Sequence, residues 1–178
     1  MVLSSIDGLA SKYETSNEKV NQLWHNIVWS TYANFFSIPT DCPQRNERLG
    51  WAGDISVFSR TATYLADVPQ FLRRYLCAMR DVQREDGRFP DVAPLGGGFG
   101  GLLWGSAGIT VPWEVYQQYG DKSLLAEHYE AMCRYVDYVR TRNINPETGI
   151  LEQEKVWGNL GDWLGPEDNK NDKTLMWE

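Results

Sequence analysis

The sequence has few cysteines and few histidines. Its cysteines, Cys42, Cys77 and Cys133, are an odd number at wide spacing, which fits neither a disulfide framework nor a zinc site. Small buried hydrophobic side chains are their expected role. The histidines, His25 and His128, have no further ligand at metal-binding spacing. The sequence therefore predicts structural histidines, no metal site and no cofactor.

An excess of positive charge is also absent. The 17 Lys and Arg residues are outnumbered by 24 Asp and Glu residues, which leaves a formal net charge of -7. Binding to a nucleic-acid backbone needs clustered cationic side chains, so nucleic acid is excluded as a partner. No apolar run approaches the roughly 18 residues of a membrane span. The first residues lack a signal-peptide pattern, and the cellular location is left open.

Aromatic side chains are abundant by contrast. The chain of 178 residues contains eight Trp, and aromatic residues make up 13% of it. Indole rings combine a flat apolar face with a polar edge, which suits both core packing and stacking on sugars. We expect most of the Trp residues to fill the core and a few to bind a carbohydrate. The length is enough for one domain with a core, or for part of a larger one.

Apolar residues recur at helical spacing along most of the chain. Helices are predicted over about 16–36, from an Asp54 cap through Leu65, from about Pro69 to "EDGRFP", over about 106–119, and from an Asp121 cap to about Arg142. Thr15 and Glu18 have the spacing of a capping box at the first of these helices. No βαβ pattern appears, so the predicted fold class is all-α, built from helical hairpins. Functional residues are expected in the long links at 37–54, 86–106 and 143–174.

The first long link carries a cluster of carboxylates. Residues 39–54 read "PTDCPQRNERLGWAGD" and contain Asp41, Glu47, Trp51 and Asp54. Cleavage of a glycosidic bond needs an acid for the departing oxygen and an anionic environment for the positive charge on the sugar. Like charges and an apolar wall help a carboxylic acid to keep its proton. Glu47 is therefore the predicted acid, with Asp41 and Asp54 as its charged neighbours and Trp51 as the wall.

Simpler roles for the same residues remain open at this point. Asp54 could be only a helix cap, and Asp41 could be a turn residue. Glu47 could be a solvated ion-pair partner of Arg45 or Arg48. Spacing alone does not decide between these roles and a catalytic site.

A glycine-rich segment invites a different interpretation. Residues 96–101, "GGGFGG", match the G-x-G-x-x-G pattern of dinucleotide-binding loops. That pattern has meaning only after a strand and before a helix, and no strand is predicted before it. We therefore expect flexible backbone beside a cleft and no dinucleotide site.

Four longer motifs connect these observations to a known family. They are "NQLWHNIVWSTYANFFSIPTDCPQRNERLGWAGD" at 21–54, "RFPDVAP" at 88–94, "WGSAGITVPW" at 104–113 and "GDWLGP" at 161–166. On these motifs the chain resembles the catalytic domain of the bacterial and fungal α-L-rhamnosidases of glycoside hydrolase family 78. The resemblance extends over nearly the whole chain.

The resemblance implies a fold and an activity. It implies that 16–178 form the N-terminal part of a six-hairpin glycosidase domain, about half of an (α/α)6 toroid, after a lead-in at 1–15. It also implies inverting hydrolysis of terminal α-linked L-rhamnose, with the remaining catalytic and β-sandwich domains elsewhere in a longer parent chain. The general base would then lie outside this chain, and the isolated segment would be inactive. The alternative is a carbohydrate-binding or structural helical domain without catalysis.

The resemblance also implies a role for individual residues. Glu47 matches the general acid, and the matching rhamnose-subsite residues are Asp41, Trp51 and Asp54. Trp104 would add a wall to the subsite, and Trp163 or Trp157 another. Asn46 stands where an acidic residue is frequent in the family, and Ser106 stands where Asp is common. Neither of these two residues is assigned a role.

Overall fold

Helices make up nearly all of the regular structure in the computed structural model, which describes residues 3–98 and 101–152. The helices of these residues are α1 (Glu18–Asn34), α2 (Ala52–Leu65), α3 (Pro69–Asp81), α4 (Leu102–Gly105), α5 (Ala107–Tyr119) and α6 (Lys122–Arg142). Two short strands, β1 (Phe35–Phe36) and β2 (Ile38–Pro39), pair antiparallel. The prediction of an all-α fold is confirmed. In the described part of the chain, no helix has both the length and the hydropathy needed to cross a membrane.

The core lies between α2, α3, α5 and α6. Helix α5 packs against α2, α3 and α6, and α4 packs against α2. The largest fully buried side chains of this core include Tyr75, Phe89, Ile55, Leu72, Leu76 and Met79. Burial of apolar side chains at about 25 cal/mol per Å² is the main force that holds such helices together.

The N-terminus of α1 differs from the prediction. Helix α1 begins at Glu18, and its N-cap is Asn17 rather than Thr15. The Asn17 side chain accepts hydrogen bonds from the amides of Lys19 and Val20. The Thr15 hydroxyl instead accepts from the Asn17 amide. Asn is at least as good a cap as Thr, so the predicted capping box was wrong in its cap residue.

The other end of α1 is also shorter than predicted. The helix ends at Asn34, because the chain turns at Ser37, with φ of 65°, into the β1–β2 pair. On α1, Leu23 is exposed, whereas Val28 and Thr31 are buried. The apolar spacing therefore identified the helix, and only its second half contributes buried side chains to this core.

Helix α2 starts two residues before the predicted cap. It begins at Ala52 after Trp51, and Asp54 lies inside its first turn. Within the described residues, no side chain caps this terminus; the Ala52 amide donates to the Asp91 carbonyl at 2.8 Å. A carboxylate in the first turn is still favourable, because the helix dipole is positive there. Asp54 is therefore correctly placed at the helix start but was wrongly predicted as its cap.

Three boundaries agree with the sequence signals. Helix α3 begins at Pro69, whose missing N–H is tolerated in a first turn. Gly120, with φ of 68°, ends α5 in the left-handed conformation. Asp121 caps α6 by accepting from the amides of Ser123 and Leu124. These signals act over three or four residues, so they could be recognised in the sequence.

The region before α5 was predicted less well. The single helix predicted over about 106–119 is preceded by the short helix α4, and α5 begins at Ala107. Pro112 lies inside α5. A proline has no N–H for the carbonyl four residues earlier, so the Gly108 carbonyl loses its helical partner. That carbonyl lies close to His128 of α6.

Candidate active site

The loop before α2 is closed by Asp41. The Asp41 amide donates to the Leu49 carbonyl at 2.9 Å, and the Leu49 amide donates to Asp41 Oδ1 at 2.8 Å. The Asp41 side chain is only 8% exposed. Asp41 thus has the turn role that was left open, and its second oxygen, Oδ2, faces Arg45 at 3.4 Å.

Glu47 is held on both of its oxygens. The Trp51 indole Nε1 donates to Glu47 Oε1 at 2.9 Å. Arg45 contacts Glu47 Oε2 through Nε at 2.9 Å and through Nη2 at 2.7 Å. The Glu47 side chain remains 33% exposed and accessible to a ligand. The pairing with Arg45 that was left open in the sequence is therefore present, together with a contact to Trp51.

Arg45 compensates the negative charge of this loop. A carboxylate oxygen of Asp41, the Cys42 sulfur and a carboxylate oxygen of Glu47 lie within 4.8 Å of one another. The two carboxylates attract a cation. The Arg45 guanidinium pairs with both carboxylates. Its hydrogen bond to Glu47 raises the pKa of Arg45. Burial raises the pKa of the Cys42 thiol, and the hydrogen bond to Asp41 raises it further, so the thiol stays neutral.

Asp54 completes the predicted group of carboxylates. Its pKa is raised by desolvation, while a hydrogen bond from its own amide opposes that rise, and the charges of Asp41 and Glu47 add to it. The Asp54 side chain is exposed, yet it lies in a groove whose walls displace part of its hydration. The structure therefore brings the three carboxylates close enough to influence one another.

The groove beside Asp41 and Asp54 has a volume of about 430 Å³. It runs between α1 and the first half of α2. Its apolar walls are formed by Ile27, Phe35, Pro39, Ile55, Val57 and Phe58. Glu47, Trp51 and Trp104 are not among its lining residues. The groove therefore borders the carboxylate cluster on one side and does not enclose the predicted acid.

The backbone around Trp51 is fixed by a distant segment. The Gly50 carbonyl accepts from the Tyr75 hydroxyl at 2.9 Å and from the Ala93 amide at 3.0 Å. Trp51 and Val92 form an antiparallel bridge. A β-carbon at Gly50 would lie 2.1 Å from the Ala93 carbonyl oxygen, so only glycine fits there. The motif at 88–94 thus supports the loop that carries Glu47.

Trp104 lies beside the same helix start. Its half-buried side chain packs against Gly53 in the first turn of α2, next to Asp54. Trp104 therefore contacts the residue next to Asp54, and its role as a wall of the site stays a prediction. Trp157 and Trp163 lie outside the described residues.

Arg45 was not predicted as a site residue, although the structure places it between Asp41 and Glu47. Gly53, which contacts Trp104, was not predicted either. Arg45 could have been found from its position between two carboxylates on one short loop. Gly53 carries no such signal, because its contact partner is far away in the chain.

Comparison with known proteins shows similarity over nearly the whole chain. Residues 9–176 match the sequence model of the bacterial alpha-L-rhamnosidase 6 hairpin glycosidase domain. An α-L-rhamnosidase of Streptomyces avermitilis is 42% identical over 159 residues, which cover 88% of this chain and 15% of the relative. An α-L-rhamnosidase of an Alteromonas species is 38% identical over 165 residues. The chain spans 17% of that second relative.

Solved structures show the same similarity. The crystal structure of Streptomyces avermitilis α-L-rhamnosidase complexed with L-rhamnose matches with a TM-score of 0.83 and 38% identity, over 97% of this chain and 16% of that one. The structure of the native Aspergillus terreus enzyme matches with a TM-score of 0.83 and 36% identity, over 98% of this chain and 21% of that one. In each case the chain corresponds to a small part of a longer polypeptide.

Proposed function

The chain belongs to the bacterial α-L-rhamnosidase six-hairpin glycosidase family, and from this premise we propose that the intact protein is an inverting glycoside hydrolase releasing terminal α-linked L-rhamnose. The helical array is part of an α/α toroid, as predicted. The substrate is a carbohydrate, and the parent chain supplies further catalytic and β-sandwich domains. In this proposal the chain contributes the general acid and part of the sugar subsite.

The contacts of Glu47 support its role as the acid more than any other observation. Its two oxygens are held by different donors, Trp51 on Oε1 and Arg45 on Oε2. A proton donor must be oriented within hydrogen-bonding reach of the departing oxygen, and the Trp51 contact, which is compatible with a protonated carboxyl, restricts the orientation of a flexible glutamate. The remaining exposure leaves one side of the carboxyl open to a substrate.

The two oxygens of Glu47 are not equivalent for proton transfer. Trp51 can donate to Oε1 whether or not the carboxyl carries a proton on Oε2. A proton on Oε2 competes directly with Arg45, since both occupy the same lone pairs. Arg45 is 56% exposed and can turn toward solvent at little cost. The proton is therefore donated from Oε2, after Arg45 has moved away from it.

The other predicted residues bind the sugar in this proposal. Asp41 and Asp54 accept hydrogen bonds from ring hydroxyls, and hydrogen bonds to carboxylates are among the stronger ones. Rhamnose has a methyl group in place of a hydroxymethyl group. The indole faces of Trp51 and Trp104 can bury this methyl at about 25 cal/mol per Å² of apolar surface. An inverting mechanism also needs a second carboxylate about 6.5 to 9.5 Å from the acid, and no residue of this chain is assigned that role.

The test is Glu47→Gln in the full-length polypeptide, measured as hydrolysis of aryl α-L-rhamnosides. Loss of a proton donor lowers turnover by about 10²- to 10⁴-fold. The loss should be much smaller for a dinitrophenyl rhamnoside, because that leaving group departs without protonation. The matched control is Glu130→Gln on the exposed surface of α6, which should leave every rate unchanged.

Two results would contradict parts of the proposal. Equal losses for good and poor leaving groups would remove Glu47 from the role of the acid. Binding of L-rhamnose by the wild-type full-length protein without hydrolysis of any rhamnoside would favour the alternative, a carbohydrate-binding domain without catalysis.

A further inference from the structure

Trp104 approaches α2 more closely than any residue other than glycine would allow. A β-carbon built at Gly53 would lie 2.7 Å from Trp104 Cε2 and 2.8 Å from Trp104 Nε1. Favourable contacts between such atoms require about 3.5 to 4.0 Å. Gly53 is buried in the first turn of α2, and its φ lies outside the left-handed region. Its backbone therefore does not require glycine, and the contact with the indole does.

The indole cannot relieve this contact by moving away with its own helix. The Tyr135 hydroxyl of α6 donates to the Leu102 carbonyl of α4 at 2.8 Å. A β-carbon at Gly105 would lie 2.8 Å from the same hydroxyl oxygen, so α4 and α6 are also in close contact. Helix α4 is thus held between α6 on one side and α2 on the other. The position of Trp104 is determined by both contacts.

We propose that Gly53 is a positioning residue of the sugar site. It allows the Trp104 indole to lie directly on the first turn of α2, and so determines the distance between that ring and the neighbouring Asp54. The expected effect of Gly53 on sugar binding rests on the proposed function. The contact between Gly53 and Trp104 rests on the geometry alone.

Helix propensity predicts the direction in which Gly53→Ala would change stability in the absence of the indole contact. Alanine is a better helix former than glycine, so Gly53→Ala would stabilise α2 if nothing lay against it. A loss of stability or of affinity must then come from the displaced indole. The same substitution in a Trp104→Ala background has no ring to displace.

The experiment is a double-mutant cycle of Gly53→Ala and Trp104→Ala in the full-length polypeptide, with an aryl α-L-rhamnoside as substrate. Gly53→Ala should raise KM by about tenfold or more, the size expected when an apolar wall is misplaced. It should change kcat by less than about threefold, since it removes binding and not the acid. In the Trp104→Ala background the added alanine should leave KM unchanged. Gly8→Ala is the control, because a β-carbon at Gly8 meets no atom within 4 Å among the described residues.

Thermal unfolding provides a readout that does not depend on the activity. Gly53→Ala should lower the unfolding midpoint in the wild-type background and leave it unchanged or raise it when Trp104 is alanine. If Gly53→Ala prevents folding, the double variant must recover it. The inference is overturned if Gly53→Ala behaves as wild type, or if its effect is the same in both backgrounds. Absence of rhamnoside hydrolysis by the wild type would refute the proposed function, and the unfolding cycle would still decide the Gly53–Trp104 contact.

Discussion

His128 should make the protein less stable as the pH falls from about 6.5 to about 4. The ring is fully buried on α6 and stacks on Phe89, with centroids 5.5 Å apart and an angle of 9° between the planes. Burial, and to a smaller extent the charge of Arg80, whose Nη1 lies 3.5 Å from Nδ1, lower its pKa to about 4. The Gly108 carbonyl and Glu127 oppose this shift only in part. Among the described residues, Nε2 has no hydrogen bond of normal geometry.

The pH window follows from these values. Above a pH of about 6.5, the ordinary pKa of histidine, the ring is neutral in both states and its titration contributes nothing. Between about 6.5 and 4 the unfolded chain binds a proton that the folded protein does not, so the free energy of unfolding falls with the pH. At about 1.4 kcal/mol per pH unit the total loss is about 3 kcal/mol. Glu127, with its pKa lowered to about 2 by Arg80 and Arg73, loses its contribution only below about 4.5.

The assay compares the unfolding midpoint of the wild type with those of His128→Leu and His128→Gln at several pH values between 7 and 4. At about 2 to 4 °C per kcal/mol, the wild type should lose about 6 to 12 °C more than either variant over this range. Comparison between variants cancels all groups that titrate in common. His25→Gln is the control, since His25 is exposed on α1. Equal pH dependence in the wild type and both His128 variants would refute the reasoning.

Three other predictions follow from the contacts. The Glu114 carboxylate is only 11% exposed and pairs with Arg60. Arg60→Met removes this partner and should lower the free energy of unfolding by about 1 to 2 kcal/mol. An unchanged thermal midpoint would contradict this, and adding Glu114→Met should recover most of the loss. Asp54→Asn should raise KM for an aryl α-L-rhamnoside by about tenfold with little change in kcat, as expected for a lost charge-assisted hydrogen bond; steady-state kinetics with unchanged KM would exclude Asp54 from the subsite. In the native chain, iodoacetamide should label exposed Cys133 at least about tenfold faster than buried Cys42. Equal rates by mass spectrometry before denaturation would contradict the burial of Cys42 in the loop before α2.

Short-range signals explain which elements could be predicted. Pro69, Gly120 and Asp121 each act on the three or four neighbouring residues, and each marks the helix end that the sequence indicated. The start of α2 was misplaced because its first amide is satisfied by Asp91, about 40 residues further along the chain. Asp54 resembled a cap in sequence, but the long-range hydrogen bond moved the helix start upstream.

The contacts of the candidate site also divide into those between near neighbours in the chain and those that depend on tertiary structure. Asp41, Glu47 and Trp51 lie on one short loop, so their proximity was predictable, and the hydrogen bond from Trp51 to Glu47 spans only four residues. The ion pair of Arg45 with Glu47 was among the roles left open in the sequence, and the structure adds its second pairing, with Asp41.

The sequence by itself determined the helical class, most helix boundaries and the cluster of carboxylates before α2, because hydrogen bonding, capping and ion pairing act between residues that are close in the chain. Only the tertiary structure decided that Tyr75 and Ala93 hold Gly50, and that Trp104 lies on Gly53. These contacts join residues separated by 25 to more than 50 positions, and they form only when the helices pack. Close packing allows a single arrangement there, since one added carbon atom at Gly53 would collide with the indole.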